Sequence, residues 1–114
     1  MLNREQLLKR VYDAFNARDL EGALAMMHPD VVWANGLDGG HVHSREGVRE
    51  YWKEQWKRMD SRAQPLAFHE GADGTTRVEV HLMARDSQGD VLFDTKAGHV
   101  FRIEEGLIRR FDIA

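Results

Sequence analysis

The sequence predicts an α+β fold, in which three N-terminal helices cover the concave face of a curved, mainly antiparallel β-sheet. Apolar side chains recur at helical spacing through most of the first 60 residues, and beyond Asp60 they alternate with polar ones. Three residue pairs that end in glycine then divide the second half of the chain: Asp-Gly at 73–74, Gln-Gly at 88–89 and Glu-Gly at 105–106. Such pairs are typical of the tight turns in an antiparallel meander.

The first two predicted helices cover about residues 4–17 and 20–28. Asn3 fits the N-cap of the first, and Gln6 three positions later completes a capping box. The apolar face of this helix carries Leu7, Leu8, Val11 and Phe15. Asp19 fits the cap of the second helix, which we expect Pro29 to end because proline cannot donate to the helical ladder.

A strand and a third helix complete the first half. Residues 30–36 alternate so that Val31, Trp33 and Asn35 point to one side. A glycine-rich loop over 36–43 follows, and Ser44 then fits the cap of a helix over 45–60. The inner face of this helix carries Val48, Tyr51, Trp52, Gln55, Trp56 and Met59.

Four strands are predicted in the second half of the chain, at about 64–71, 75–86, 91–104 and 107–113. Joined by the three glycine turns, they form an antiparallel meander. The strand predicted over 30–36, which lies between the second and third helices in the sequence, is expected to join the same sheet. Helices on its concave face would make a cone that can enclose a cavity.

Composition places the chain among soluble globular proteins. Its 114 residues fit one domain over 1–114, and 42% are hydrophobic while 31% are charged. There is no cysteine, which fits a reducing compartment. The first ten residues lack the apolar core of a signal peptide, and no apolar run approaches the roughly 18 residues of a membrane span. We therefore expect a cytoplasmic protein with no membrane partner.

The charge pattern gives no sign of a nucleic-acid partner. The 16 basic and 19 acidic residues are spread along the chain and give a net charge of −3. No electropositive stripe is available to neutralise phosphates. No internal repeat or low-complexity segment is present either.

Several segments carry a family resemblance. The chain contains NARDLEG followed by ALAMMHPDVVWANG, then a Ser-Arg-Glu helix start at 44–46, and it closes with FRIEEGLIRRFDI. In this order the segments resemble the NTF2-like superfamily, particularly its SnoaL-like and ketosteroid-isomerase-like branch, over essentially the whole chain. The resemblance implies a cone with a pocket and a homodimer formed through paired sheets. Because this fold hosts several kinds of enzyme and also non-catalytic binding modules, activity must be argued from the site.

Compared with ketosteroid isomerases, the chain lacks two catalytic groups. Asn35 falls where that family places its general-base aspartate, and an amide cannot take the proton. Val11 falls where the family places its oxyanion-hole tyrosine, with Tyr12 about 100° further round the helix. His99 falls where the family keeps a protonated aspartate as second donor, a role that histidine could take over. The steroid isomerase mechanism is therefore not expected.

His99 and Asn35 are the candidates for a catalytic role. His99 shares a strand face with Phe101 and other apolar residues, and histidine titrates close to working pH. The alternative is a core histidine satisfied by a hydrogen bond. Asn35 shares a face with Trp33, where its amide could orient a ligand's carbonyl or hydroxyl group or serve only as a structural hydrogen-bonding group.

Six further residues are candidates for ligand contact. Five are aromatic and fit either a pocket wall or a filled core: Phe15, Trp33, Tyr51, Trp52 and Phe111. The sixth, Arg109, shares the alternating face of Phe111, where a buried guanidinium would need an anionic partner. Surface exposure is the alternative for this arginine.

The remaining histidines give weaker signals. His41 and His43 form an HxH pair near Asp38, but two histidines and a carboxylate arise easily by chance among six histidines. We expect no metal and no cofactor. His81 should face away from the apolar side of its strand, and a subunit interface could be its environment.

These observations leave two functional hypotheses and one that lacks its residues. The first is a pocket for a small, largely apolar molecule with a polar handle, in a binding protein or in an isomerase- or lyase-type enzyme where His99 polarises a carbonyl or shuttles a proton. The second is a non-catalytic dimeric interaction module with a packed core. A cavity of about 300 Å³ or more beside His99 would favour the first. A hydrolase of this fold needs carboxylates converging on a water, and we find no such pair on the inward faces.

Overall fold

The computed structural model describes residues 2–114, which form three helices and six strands. Two helices precede the first two strands, and a third helix leads into a meander of four strands. The elements are α1 Arg4–Asn16, α2 Leu20–Leu24, β1 Met27–Ala34, β2 His41–His43, α3 Ser44–Arg58, β3 Asp60–Glu70, β4 Thr75–Arg85, β5 Val91–Glu104 and β6 Leu107–Ile113. None of the helices within residues 2–114 is long and apolar enough to cross a bilayer.

The six strands form one sheet in the order β2-β1-β6-β5-β4-β3. Strands β3 to β6 pair antiparallel with their neighbours, as the meander predicts, while β1 adds to β6 in parallel. Gly74, Gly89 and Gly106 have positive φ angles at the three predicted turns, a conformation that glycine adopts without strain. The predicted α+β class is confirmed.

Helix α1 begins as its sequence indicates. Asn3 Oδ1 accepts a hydrogen bond from Gln6 N at 2.8 Å, and Gln6 Oε1 accepts one from Asn3 N at 3.0 Å. This reciprocal pair satisfies two backbone donors at the helix start. The buried residues of α1 are Leu7, Leu8, Val11, Tyr12 and Ala14, a wider face than the sequence analysis assigned.

The prediction for the second helix was wrong at its end. Helix α2 stops at Leu24, and Met27 already begins β1, so Pro29 lies in a strand rather than after a helix. The register of β1 against β6 shifts between Met27 and Val32. This irregular stretch accommodates a proline because no regular ladder bond from its nitrogen is required.

Two boundaries around α3 also differ from the prediction. The glycine loop ends in a short strand, β2, which pairs with the last residues of β1. Helix α3 ends at Arg58, and β3 begins at Asp60, four residues before the predicted 64. Ser61 and Ala63 are already buried on the inner side, so the alternation of this strand starts where a longer helix was expected.

The helices pack on one face of the sheet and close a hydrophobic core. Cross-strand neighbours on that inner face include Val78 opposite His99 and Phe101 opposite Phe111. Register shifts interrupt the β3–β4, β4–β5 and β5–β6 pairs, and such bulges bend strands. The largest fully buried side chains are Leu8, Met27, Val31, Val48, Thr76, Val78, Val80, Phe101 and Ile108.

Candidate functional site

A cavity of about 230 Å³ lies between α1, α3 and the inner face of the sheet. Its wall is mainly apolar, which is the usual character of a small-molecule site. Apolar aromatic rings supply much of that wall: Phe15, Trp33, Trp52, Phe93, Phe101 and Phe111. The polar side chains that reach it are Tyr12, Tyr51, Gln55, Ser61 and His99, while Arg62 borders it with a mostly exposed side chain that bonds the carbonyl oxygen of Asn16.

The structure brings six of the eight candidate residues together around this cavity. They are Phe15, Trp33, Tyr51, Trp52, His99 and Phe111. The Trp33 and Phe111 rings stack with centroids 4.3 Å apart, and Trp52 meets both Trp33 and Phe15 edge to face. These contacts hold the rings of the wall in fixed orientations. Ligand contact by the six residues stays a prediction.

Asn35 is not among the residues that line the cavity. Its Oδ1 accepts hydrogen bonds from the backbone nitrogens of Leu37 and Asp38, both at 2.9 Å, and so shapes the loop after β1. An asparagine that bonds the backbone two and three residues later is a common turn device. The structure thus supports the structural alternative for Asn35.

Arg109 does not reach the cavity either, and the predicted face was wrong. Ile103 pairs with Ile108 whereas Arg102 pairs with Arg110, so Arg109 is the extra residue of a bulge. Ile108 is fully buried in consequence. The Arg109 guanidinium instead bonds the carbonyl oxygen of Asp30 and pairs with Glu104 at 3.5 Å.

Tyr12 is the residue that the sequence comparison missed. Its hydroxyl lies 2.7 Å from Nδ1 of His99, and both side chains are buried. The two rings are parallel within 5°, with their centroids 6.0 Å apart. The expectation that α1 offers no phenolic donor to this region was therefore wrong.

Burial keeps both members of this pair neutral. Desolvation lowers the pKa of His99 to about 4. It raises the pKa of Tyr12 far above its ordinary value. At neutral pH the pair is an uncharged imidazole bonded to an uncharged phenol, and it contributes polarity to the cavity without a net charge.

A second polar group forms around Tyr51 on α3. The Tyr51 hydroxyl oxygen accepts a hydrogen bond from Gly36 N at 2.9 Å and another from Gln55 Nε2 at 3.3 Å. Ser61 Oγ in turn donates to Gln55 Oε1 at 3.3 Å. Burial is the main cause that raises the pKa of Tyr51, so its phenol also stays protonated at neutral pH. Sequence reasoning placed Gln55 on the inner helix face but did not find Ser61.

His41 and His81, which lie outside the cavity, both contact carboxylates. His41 Nε2 lies 2.8 Å from Asp112, and His81 contacts Asp94 across the outer face of the sheet. Within residues 2–114, no group of three or more histidine, aspartate or glutamate side chains is placed to hold a metal ion. His41 and Asp38 are therefore not assembled into a common site.

A mixed sheet covered on one face by helices, with an apolar cavity that carries a few neutral polar groups, defines a pocket-bearing α+β cone. The SnoaL-like domain family matches residues 8–111, and the chain belongs to that family. No curated protein sequence matches the chain significantly.

Similar solved structures support the fold. An NTF2-like protein of unknown function from Burkholderia pseudomallei is 29% identical over 100% of this chain and 91% of its own, with a TM-score of 0.85. TerC, co-crystallised with polyporic acid, is 24% identical over 96% and 88%, with a TM-score of 0.84. A Mycobacterium tuberculosis protein in complex with estradiol-17beta-hemisuccinate is 17% identical over 94% and 88%, with a TM-score of 0.81.

Proposed function

We propose that this chain binds a small, largely apolar molecule in its cavity and contacts one hydrogen-bond acceptor of that molecule through His99 Nε2. The observation that carries the proposal is the buried, neutral Tyr12–His99 pair at the wall of an apolar cavity. A polar group that keeps a free hydrogen-bonding position at an apolar cavity wall favours a ligand that supplies the matching partner.

The tautomer of His99 is assigned from the relative strength of the two acceptors. An imidazole nitrogen is a stronger hydrogen-bond acceptor than a phenol oxygen, so we assign Tyr12 as the donor to Nδ1. The imidazole proton then resides on Nε2. Trp56 Nε1 is the only fully buried polar side-chain atom without a partner in the described residues. Nε2, which has no protein partner there either, is consequently not sealed and can donate into the cavity.

The cavity volume indicates how much of an occupant can be enclosed. At about 230 Å³ it is smaller than the 300 Å³ that the sequence analysis set as a criterion, yet it is not tightly packed core. An apolar cavity of about 150 Å³ can hold benzene. This comparison supports a molecule of about one substituted ring. The steroid derivative bound by the Mycobacterium tuberculosis relative is a larger ligand than that.

The protonation state favours binding over proton transfer. A general base works best when its pKa lies near the operating pH, and the pKa of His99 is held at about 4 by burial. Neutral imidazole is instead a competent hydrogen-bond donor to a carbonyl oxygen. An isomerase- or lyase-type reaction would therefore need polarisation by His99 rather than proton abstraction. The cytoplasmic location and the homodimer remain predictions from the sequence.

One observation favours the interaction module as a second candidate. Leu66, Val91 and Leu92 are about half exposed, at 51%, 51% and 50%. Apolar side chains of this size at a surface are compatible with self-association. Sedimentation analysis of the purified chain tests this reading directly, since a protein that stays monomeric at high micromolar concentration contradicts it.

Titration with a one-ring carbonyl compound tests the ligand proposal. Trp33 and Trp52 line the cavity, so acetophenone should quench tryptophan fluorescence saturably in the wild-type protein. His99→Phe keeps a ring against Phe111 but removes the donor, and we expect its affinity to fall about three- to tenfold. His81→Gln, on the outer face, serves as the control and should bind normally. A lack of saturable binding, together with no copurifying molecule in native mass spectrometry, would contradict the proposal.

A further inference from the structure

We propose that Tyr51 is a second hydrogen-bond donor of the cavity, dedicated to an acceptor oxygen of the ligand, and that Gln55 and Ser61 are the positioning residues that free its proton for this role. The inference rests on the proposed ligand-binding function and narrows its ligand class. The occupant would be a one-ring-sized apolar molecule that carries a ketone, ester or enolate oxygen. The two donors would come from different elements, Tyr51 from α3 and His99 from β5.

The argument begins with the acceptor capacity of the Tyr51 oxygen. Two N–H groups already point at it, Gly36 N at 2.9 Å and Gln55 Nε2 at 3.3 Å. A hydroxyl oxygen has two lone-pair positions and one proton. With both lone pairs engaged, Tyr51 can form another hydrogen bond only by donating its proton. Within residues 2–114, no side-chain or backbone acceptor receives it.

The second step is the direction in which Gln55 faces Tyr51. Gln55 Oε1 faces Ser61 Oγ at 3.3 Å, and in this orientation of the amide the NH₂ end faces the phenol. Gln55 lies four residues after Tyr51, one helical turn along α3, so the two side chains meet on one face. Ser61 lies at the start of β3. Tyr51, Gln55 and Ser61 all line the cavity, so the hydrogen bonds that connect them lie at its wall.

The third step is the surroundings of the phenol. Tyr51 lines the cavity and is 9% exposed, so a donor here is largely protected from bulk water. A methyl group built on Gly36 would lie 3.4 Å from the Tyr51 hydroxyl and 3.4 Å from Ile113 Cδ1. Ile113 is the cross-strand neighbour of His99. The Tyr51 hydroxyl and the Ile113 side chain thus both border Gly36, and Ile113 pairs with His99 in the sheet.

These assignments determine which ligands the cavity favours. Tyr51 offers an O–H and His99 offers an N–H, while the pKa of each group is shifted in the direction that keeps it neutral. Donors in an apolar cavity favour ligands that bring acceptor oxygens, because an apolar ligand would leave the donors unpaired. A hydrocarbon of the same shape should therefore bind less tightly than its ketone.

The test compares acetophenone with ethylbenzene, a pair of one-ring probes that differ in the carbonyl oxygen. In the wild-type protein we expect acetophenone to bind more tightly, with its C=O stretching band shifted to lower frequency by the hydrogen bonds. In Tyr51→Phe the preference for acetophenone should fall about three- to tenfold and the band should move toward its position in an apolar solvent. Ethylbenzene affinity should stay unchanged, which shows that the cavity is intact.

Gln55→Glu isolates the positioning role. A carboxylate cannot donate, so it should accept a hydrogen bond from the Tyr51 hydroxyl, which is then no longer available to the ligand. The size of the side chain stays the same. The carbonyl band should then resemble that of Tyr51→Phe. Ser61→Ala leaves Tyr51 and Gln55 in place, and a smaller shift in the same direction is expected. Circular dichroism and melting curves verify that each variant is folded, and Ser61→Ala provides the test if Gln55→Glu does not fold.

The outcomes separate this inference from the function on which it rests. If both probes bind but Tyr51→Phe leaves both the preference and the carbonyl band unchanged, the Tyr51 proton is already taken by Gln55 in the opposite amide orientation, and the inference is overturned. The ligand-binding function then still stands. If neither probe binds the wild-type protein, the proposed function and the inference fail together.

Discussion

Histidine has different hydrogen-bond partners on the two faces of the sheet. On the inner face, His99 is 8% exposed and bonds the neutral phenol of Tyr12. On the outer face, His81 bonds the carboxylate of Asp94, with side chains 38% and 52% exposed. A carboxylate beside a buried imidazole would have to be stripped of water, whereas at the surface both partners stay hydrated. Solvation thus decides the chemical partner, and only the inner pair offers an uncharged polar contact to an apolar cavity.

The largest difference in stability between the two faces should come from truncating one residue on each face of β5. Phe101 is 1% exposed and contacts the rings of Tyr12, Trp33, His99 and Phe111. Phe101→Ala should lower the free energy of unfolding by about 3–5 kcal/mol, because it removes apolar contacts and leaves a void. Lys96→Ala, on the outer face of the same strand, should change it by no more than about 0.5 kcal/mol. Urea unfolding measures both, and comparable losses would show that the faces are not distinct.

The pH dependence of the free energy of unfolding should also distinguish the inner face from the outer face, by a somewhat smaller amount. Burial lowers the pKa of His99 from 6.5 to about 4, so the unfolded chain binds a proton that the folded chain rejects. This contribution to stability is fully present above the unfolded value, declines as the pH falls, and is lost once the pH has passed the folded value. With about 1.4 kcal/mol for each unit of separation, the loss approaches about 3 kcal/mol.

The measurement is urea unfolding at pH 7, 5.5 and 4.5 in the wild-type protein and in His99→Phe. The variant lacks the titrating group but retains a ring, so its stability should decline less steeply over this range. The carboxylates common to both proteins cancel in the difference. Parallel curves for the two proteins would mean that His99 takes up its proton at the same pH in the folded and unfolded chain, and a lowering of its pKa by burial would then be excluded.

The fold could be predicted from the sequence because its signals are local. Helical spacing, the Asn3–Gln6 capping box and the glycine turns each depend on residues a few positions apart. The boundary between α2 and β1 was missed because a proline usually ends a helix, whereas here a register shift in β1 accommodates Pro29 within the strand. Such a shift depends on the neighbouring strand β6, which no local pattern describes.

The candidate site was predictable only in part, for a similar reason. The aromatic wall follows from alternation and helical spacing, but alternation fails at Arg109, where a bulge displaces one residue from the inner face. Tyr12 was missed because the family comparison drew attention to Val11. Its spacing of four residues from Leu8, which is fully buried, was a usable signal. The Tyr51–Gln55 spacing was also visible, whereas the bond from Ser61 needed the geometry of the turn between α3 and β3.

The smallest expected difference comes from removing one hydrogen-bond partner of a histidine on each face. Tyr12→Phe keeps the ring but leaves buried His99 Nδ1 without a partner, which should cost about 1–3 kcal/mol of unfolding free energy. Asp94→Asn weakens an exposed hydrogen bond from His81 to a carboxylate and should cost less than about 1 kcal/mol. Salt should reduce the effect of Asp94→Asn but not that of Tyr12→Phe, because only the exposed pair is screened. Equal costs with equal salt dependence would mean that water reaches Nδ1 of His99 as freely as it reaches His81, and the inner face would no longer count as a dry site.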